Sequence, residues 1–400
     1  MSRNVAATLR GFIDSTDRSI PAKAFRAAGL VVSIPYSLAA RVHHGLYNRG
    51  IRRSASVPSP VVSVGNITMG GVGKSPLVAW ITDYFISCGK TPGLVSRGYK
   101  AKEQAARGDG RPSESRENAN PASAEEFAPY TLRNDEAKEF AVRFPDVPYF
   151  LGHNRVEVAR ALLTANPDVD VIILDDAFQH RKISRDLDVV VLDALNPFGG
   201  GHVAPSGFLR EPVSALSRAD VVLLNRADLI DDARRNQIRK RVDAYAPNAV
   251  WGEMAQRPHA VCQYEHAADA PDQLTIASTP IVEWLQTHAS KRVLAFCGLG
   301  APDGFRKTLK KEGVNVVSFV EFPDHCVYDA SDIARLRNAA NETNADLILG
   351  TMKDFVKFQG TEPLNRPLCA LQVGVEFLAG EEVFCQALRQ SVESRNKRLP

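Results

Sequence analysis

The chain has no acidic residue between Asp17 and Asp83. Over that span Arg18, Lys23, Arg26, Arg41, Arg49, Arg52, Arg53 and Lys74 stand unbalanced, with His43 and His44 among them. Such a run suits an anionic membrane surface or a phosphorylated ligand. Over the whole chain the net charge is only +3, which gives no argument for a nucleic-acid partner. Cysteine is sparse. Cys88, Cys262, Cys297, Cys326, Cys369 and Cys385 are scattered and form no C-x-x-C pair, which argues against a zinc site or a disulfide framework and predicts a reduced, cytosolic setting. Long apolar runs are also lacking. Arg10, Asp14, Asp17 and Arg18 break any signal-peptide core.

What is there begins with an uncharged stretch at 27–40, "AAGLVVSIPYSLAA", flanked by Arg26 and Arg41. As a helix it spans roughly 21 Å, short of the roughly 30 Å hydrocarbon core of a bilayer. Pro35 is expected to interrupt it. Its aliphatic residues and basic flanks fit a helix lying in a membrane interface. A helix packed on the first domain is the alternative.

Further on, the hydrophobic pattern is that of an α/β protein. "PVVSVGN" at 60–66 reads as a buried strand, "PLVAWITDYFISCG" as an amphipathic helix and "TPGLVSRGY" as a strand and turn. "VDVIILDDAFQH", "DLDVVVLDA" and "ADVVLLNRADL" supply further core strands, whose continuous β-branched runs predict parallel pairing under helices on both faces. Residues 100–130 are nearly devoid of large apolar side chains and are expected to be a disordered surface insertion. The strand–helix alternation restarts after about residue 245. The expected organisation is therefore a basic N-terminal segment at 1–55, a first α/β domain at 56–245 and a smaller α/β domain at 246–400 closing over it. Both domains are expected to be P-loop-like or Rossmann-like three-layer units with largely parallel sheets. The "GLGAPDG" run, with Gly298, Gly300 and Gly304, has the wrong order for a dinucleotide fingerprint.

Four clusters carry chemistry. "TMGGVGKSP" follows a strand and precedes a helix, as a phosphate loop does, although Thr68 stands where G-x-x-x-x-G-K-[ST] has its first glycine. Backbone amides of Gly70, Gly71, Val72, Gly73, Lys74 and Ser75 can wrap the phosphates of ATP, with Thr68 and Met69 opening the nucleotide-binding loop. Lys74 neutralises the β and γ phosphates and the Ser75 hydroxyl holds Mg²⁺. Asp175 and Asp176 end a buried strand, the position of a Walker-B acid that orients Mg²⁺. Gln179, His180 and Arg181 follow at the same sheet edge, within reach of substrate or phosphate. Asn134, Asp135 and Glu136 read as a helix N-cap with its acids, and His325 falls in a loop of the second domain.

In this order the motifs "VGNITMGGVGKSP", "SRGY", "NDE", "DDAFQHR", "GGGHVAPSGFLREP", "DHCVY" and "TMKD" resemble the tetraacyldisaccharide 4′-kinase family of lipid A synthesis, from about residue 28 to the C-terminus. The resemblance implies transfer of the ATP γ-phosphoryl group to the 4′-hydroxyl of a tetraacyl glucosamine disaccharide 1-phosphate, at the cytoplasmic face of the inner membrane, by a peripheral or monotopic enzyme. It implies that Asp135 helps activate the sugar hydroxyl while His325 orients it. It places Asp175, Asp176 and Glu211 near metal and phosphates, with Lys74 and Asp176 catalytic. It makes Arg97 and Arg210, with Gln179 and His180, contacts to phosphate or lipid headgroup. Asn134, Ala177 and Met352 depart from the family spelling, where Gly, Gly and Glu are expected. A P-loop ATPase or switch acting on a protein partner is the alternative, and a soluble sugar or nucleotide kinase leaves the apolar N-terminal stretch unexplained.

Overall fold

A computed structural model describes residues 20–98, 135–267, 270–300, 302–324, 326–358 and 364–396. The expected insertion at 100–130 lies outside the described residues. The chain divides into two compact units. Unit 1 comprises Met1–Thr131, Val147–Gln256 and Val375–Pro400; unit 2 comprises Leu132–Asp146 and Arg257–Gly374.

Unit 1 is built on parallel strands β1 (Val61–Gly65), β2 (Pro92–Ser96), β3 (Tyr149–Leu151), β4 (Val171–Asp175), β5 (Leu187–Asp193), β6 (Val221–Asn225) and the start of β7 (Val250–Ala267). Their spatial order is β7-β6-β5-β1-β4-β2-β3. All the pairings are parallel, as the unbroken runs of Val, Ile and Leu predict. The register sets Val64 opposite Asp175 on one side and Val189 on the other. The strand ends that bear the glycine loop and the acid pair therefore meet at one sheet edge, where α/β folds place ligands.

Helices cover the sheet because neither face can be left wet. Val61, Ile172 and Leu174 pack with Val158 and Leu162 of α4 (Arg155–Ala165); Val190, Leu192, Val222 and Leu224 pack with Ile238 and Val242 of α5 (Asp232–Asp243). Each such aliphatic side chain, fully buried, is worth about 1.5–3 kcal/mol. α2 (Lys74–Ser87) and the C-terminal α10 (Glu381–Asn396) also pack on β1. Aromatic stacking holds these two together: Trp80 lies against Tyr84, Phe377 and Phe384, and Arg389 donates to the Tyr84 hydroxyl at 2.7 Å.

The N-terminal helix, α1 (Ile20–Asn48), is continuous. Pro35 does not interrupt it. The carbonyl that a proline leaves without its helical donor belongs to residue i−4, here Val31, which is 72% exposed, so water can take the donor's place. One side of the helix is seated on unit 1. A Cβ at Gly29 would lie 3.2 Å from the Ser206 backbone, Tyr36 donates to the Arg210 carbonyl at 3.0 Å, and Arg181 donates to Asn48 Oδ1 at 2.7 Å. On the other side Val31, Val32, Ile34, Leu38 and Val42 are exposed. No described helix is long and apolar enough to cross a membrane.

Unit 2 holds α3 (Asp135–Arg143), part of β7 with its antiparallel partner β8 (Ala270–Pro280), α6 (Ile281–His288), α7 (Pro302–Lys311), α8 (Ala330–Glu342) and α9 (Met352–Phe355). Its parallel strands β9 (Val293–Cys297), β10 (Val316–Glu321), β11 (Leu347–Thr351) and the first part of β12 (Leu368–Ala379) run in the order β10-β9-β11-β12. Asp329 and Asp332 form a capping box that starts α8.

One glycine shows how tightly the sheet edge of unit 1 is packed. A Cβ on Gly65 would lie 2.5 Å from Phe178 Cβ and 2.7 Å from Phe178 N, so strand and acid loop approach more closely than any side chain allows. Gly65→Ala is expected to cost about 1–3 kcal/mol of stability. A urea unfolding curve checks it: the midpoint falls at unchanged slope.

Candidate active site

The glycine loop leaves β1 through Asn66, a fully buried amide. Its Nδ2 donates to the Thr68 carbonyl at 2.6 Å and its Oδ1 accepts from Lys74 Nζ at 3.4 Å. The loop entry is zipped to the "GFLREP" segment: Met69 N donates to Phe208 O at 2.6 Å and Arg210 N to Ile67 O at 2.8 Å. Buried Thr68 sits in that bridge to Leu209, so the first loop position serves pairing rather than a glycine turn. Gly70 and Gly73 hold φ of 114° and 85°. At Gly73 a Cβ would lie 2.2 Å from Asn225 Nδ2 and 2.4 Å from Gln256 Nε2, so this position excludes any side chain. Asn225 is itself buried and donates to the Val72 carbonyl at 2.8 Å; Arg226 reaches the Gly71 carbonyl at 3.4 Å and Asp193 at 2.7 Å. The loop's outer wall is thus held from strand ends of the same sheet. Gly73 caps α2, leaving the first amides of that helix, with Lys74 and exposed Ser75, to meet an anion.

Opposite lies the acid loop. Asp175 is buried at the end of β4, and Asp176 turns into the left-handed region at φ 49°. The Asp176 carboxylate takes Lys74 Nζ at 3.2 Å and Arg210 Nη1 at 2.7 and 2.9 Å. Burial pushes its pKa up, but Lys74 and Arg210 outweigh that and hold it below the usual carboxylate range. Arg155, buried at the start of α4, is pulled down to about 10 by burial and by Arg97, against the opposing pull of Asp176 and Asp175. Arg97 itself is exposed and meets His153 Nε2 at 3.4 Å.

Glu211 is 1% exposed and both its oxygens are engaged. Arg218 Nη2 donates to both of its oxygens at 3.0 Å, Gln179 donates to Oε1 at 2.8 Å, and His44 Nε2 of α1 lies 2.8 Å from Oε2. Burial raises its pKa, but the His44 and Arg218 partners leave it lowered overall. Gln179 also donates to the Asn66 carbonyl at 2.7 Å, tying this network to the glycine loop. The structure therefore gathers Thr68 to Ser75, Asp175, Asp176, Gln179, His180, Arg210 and Glu211 within unit 1.

In unit 2, Asp135 opens α3, with Lys357 Nζ 3.9 Å from its Oδ2. Lys357 also meets Asp354 at 3.3 Å, and that wholly buried carboxylate accepts from Gly298 N at 2.9 Å and Thr351 Oγ1 at 2.7 Å. Asp354 of "TMKD" is thus a hub of the second unit, while Met352 fills its core. His325 and Asn134 lie outside the described residues. Reading motifs overlooked Asn66, Arg155, Asn225, Arg226, His44 and Arg218. Asn66 and Asn225 do carry a signal, since each is a polar residue closing a continuous apolar strand.

Hard oxygen donors from Ser75 and Asp175, on adjoining segments of one sheet edge, suit Mg²⁺, which takes few protein ligands and completes its shell with phosphate and water. Among the described residues no group of three or more His, Cys, Asp or Glu gathers to hold a metal by itself.

The match to known proteins agrees with this geometry. The family model described as tetraacyldisaccharide-1-P 4′-kinase matches residues 25–393. The chain belongs to that family. A tetraacyldisaccharide 4′-kinase of Anaeromyxobacter dehalogenans (strain 2CP-C) is 34% identical over 361 residues, covering 90% of this chain and 89% of its own. One from Syntrophus aciditrophicus (strain SB) is 32% identical over 349 residues, covering 86% and 87%. The crystal structure of "apo" form LpxK from Aquifex aeolicus in complex with ATP superposes with a TM-score of 0.64 at 26% identity, covering 92% of this chain and 99% of that one.

His180 offers a check on the site's electrostatics. Burial, then the charges of Arg155 and Arg185, push its pKa down to about 4. The ring is therefore neutral at pH 7. An NMR titration of the labelled ring is expected to show a midpoint near 4, well below free imidazole; a midpoint near 6.5 contradicts the geometry.

Proposed function

We propose that this chain transfers the γ-phosphoryl group of ATP to the 4′-hydroxyl of a tetraacyl glucosamine disaccharide 1-phosphate, giving the 1,4′-bisphosphate lipid. One observation carries the reading: a glycine loop and an acid pair of kinase type share one sheet edge in a chain whose family assignment spans nearly its whole length. Phosphoryl transfer asks little covalent chemistry of the protein and much positioning and charge compensation. Backbone amides from Gly70 to Ser75 cradle the phosphates, and Lys74 offsets charge on the transferring group. Ser75 and Asp175 would hold Mg²⁺, which would supply charge neutralisation at the phosphates. In the structure Asp176 pairs with Lys74 and Arg210. With nucleotide in place, both cations are in position to face phosphate. Asp135 accepts the proton of the attacking hydroxyl, the role the family resemblance implies. His325 keeps the orienting role the resemblance implies. Glu211 acts at one remove, holding Gln179 and α1 against the loop entry.

The exposed face of α1 supplies the membrane contact. Its apolar side chains alternate with no acidic residue, and the basic residues around it favour an anionic bilayer surface, the cytoplasmic face of the inner membrane. The lipid tails then remain in the bilayer while the sugar is phosphorylated.

Two outcomes are expected. Purified protein phosphorylates the disaccharide lipid with ATP, and Lys74→Ala lowers kcat by about 10²–10³-fold; absence of any 4′-phosphate product with native protein overturns the reading. Replacing Val31, Ile34 and Leu38 together with serine sharply reduces co-sedimentation with anionic vesicles at unchanged thermal midpoint. Undiminished sedimentation removes α1 as the membrane contact.

A further inference from the structure

Arg185 lies outside every glycine or acid motif, yet its side chain is nine-tenths buried and reaches into the acid loop. Its Nη2 donates to the Ala177 carbonyl at 2.7 Å and to the His180 carbonyl. Its Nη1 donates to the Phe178 carbonyl at 3.2 Å and to Asp188 Oδ2 at 2.6 Å. Three carbonyls of one short loop thus converge on one guanidinium. Its anchor, Asp188, is held within the sheet. It stands in β5 opposite Ser63 of β1, its backbone N donates to Asp220 Oδ2 at 2.8 Å, and Asp220 N returns a bond to the Asp188 carbonyl at 3.0 Å.

The loop needs such a clamp. Asp176 is a non-glycine residue at φ 49°, a strained conformation that persists where the surroundings over-determine it. On the upstream side Ala177 N donates to the Val64 carbonyl at 3.2 Å. On the downstream side the carbonyls of Ala177, Phe178 and His180 are all held by Arg185. The residues this backbone presents are Asp176, Gln179 and His180.

We infer that Arg185 is a positioning residue for phosphoryl transfer: its planar fork, anchored on Asp188, holds the backbone from Asp176 to His180 in the shape that aims the Asp176 carboxylate at Lys74 and Arg210. This rests on the kinase reading above. The inference turns on fork geometry rather than charge. A lysine at 185 keeps the ion pair with Asp188, but its point-like ammonium cannot span three carbonyls.

The test compares Arg185→Lys and Arg185→Ala with the native protein. A loop displaced by an ångström costs about 10²-fold in rate, so Arg185→Lys is expected to lose about that factor in kcat, with the KM for lipid little changed. A second readout needs no turnover. In calorimetry, binding of a non-hydrolysable ATP analogue without Mg²⁺ is retained, while the gain in affinity that Mg²⁺ gives the native protein shrinks, because the metal is read through the acid loop. In Arg185→Ala, added methylguanidinium restores part of kcat. Wild-type kcat in Arg185→Lys overturns the proposal. So does a joint loss of kcat, Mg²⁺-free analogue binding and thermal midpoint, which marks a residue needed only for folding. Should native protein fail to phosphorylate the lipid, the kinase reading falls, and the Mg²⁺-dependent gain in analogue affinity still decides whether Arg185 shapes the loop.

Discussion

Parallel pairing of β1 with β4 sets Val64 beside Asp175, and the site depends on that register. A slip of one residue would turn every side chain of β1 to the opposite face and carry the glycine loop away from the acid pair. The register is held by burial, since both strands are covered along their full length. It is also held by contact: Gly65 admits Phe178 at a distance no other residue permits. Loop and acids are thus coupled through the core before any ligand arrives.

Around this edge the protein buries more charge than an apolar core tolerates unpaired. Asp188, Glu211 and Arg155 are each less than a tenth exposed. Removing an ion from water costs several kcal/mol unless partners compensate, so each is met by an opposite charge or a polar group. Glu211 draws in Arg218, Gln179 and His44; Asp188 draws in Arg185. The result is a scaffold behind the phosphate site, in which buried ion pairs fix loop shapes rather than add bulk stability. The N-terminal helix enters the same scaffold through His44, so the element with the exposed apolar face is tied to the entry of the glycine loop.

Much of this was legible in the residues. The strand–glycine loop–helix order, the acids after "VIIL" and the apolar basic segment all carry local signals, because phosphate cradling and sheet burial each demand particular residue types at short spacing. The part that was not legible is long-range. Arg210 meets Asp176 across 34 positions of chain, and Asn225 supports Val72 across 153. Pro35 was misleading for a local reason: proline removes a donor, but on an exposed turn water can take its place.

By itself the sequence determined the α/β class, the nucleotide loop, the acid pair and the family, since these rest on composition and spacing along the chain. Only the tertiary structure decided that residues 135–146 pack in unit 2, that Glu211 is enclosed by Arg218, Gln179 and His44, that Asp354 organises Lys357 beside Asp135, and that Arg185 grips the acid loop. Those are decisions about which distant groups share a buried space. They follow from the need to pair buried charges and carbonyls in three dimensions, which no local pattern records.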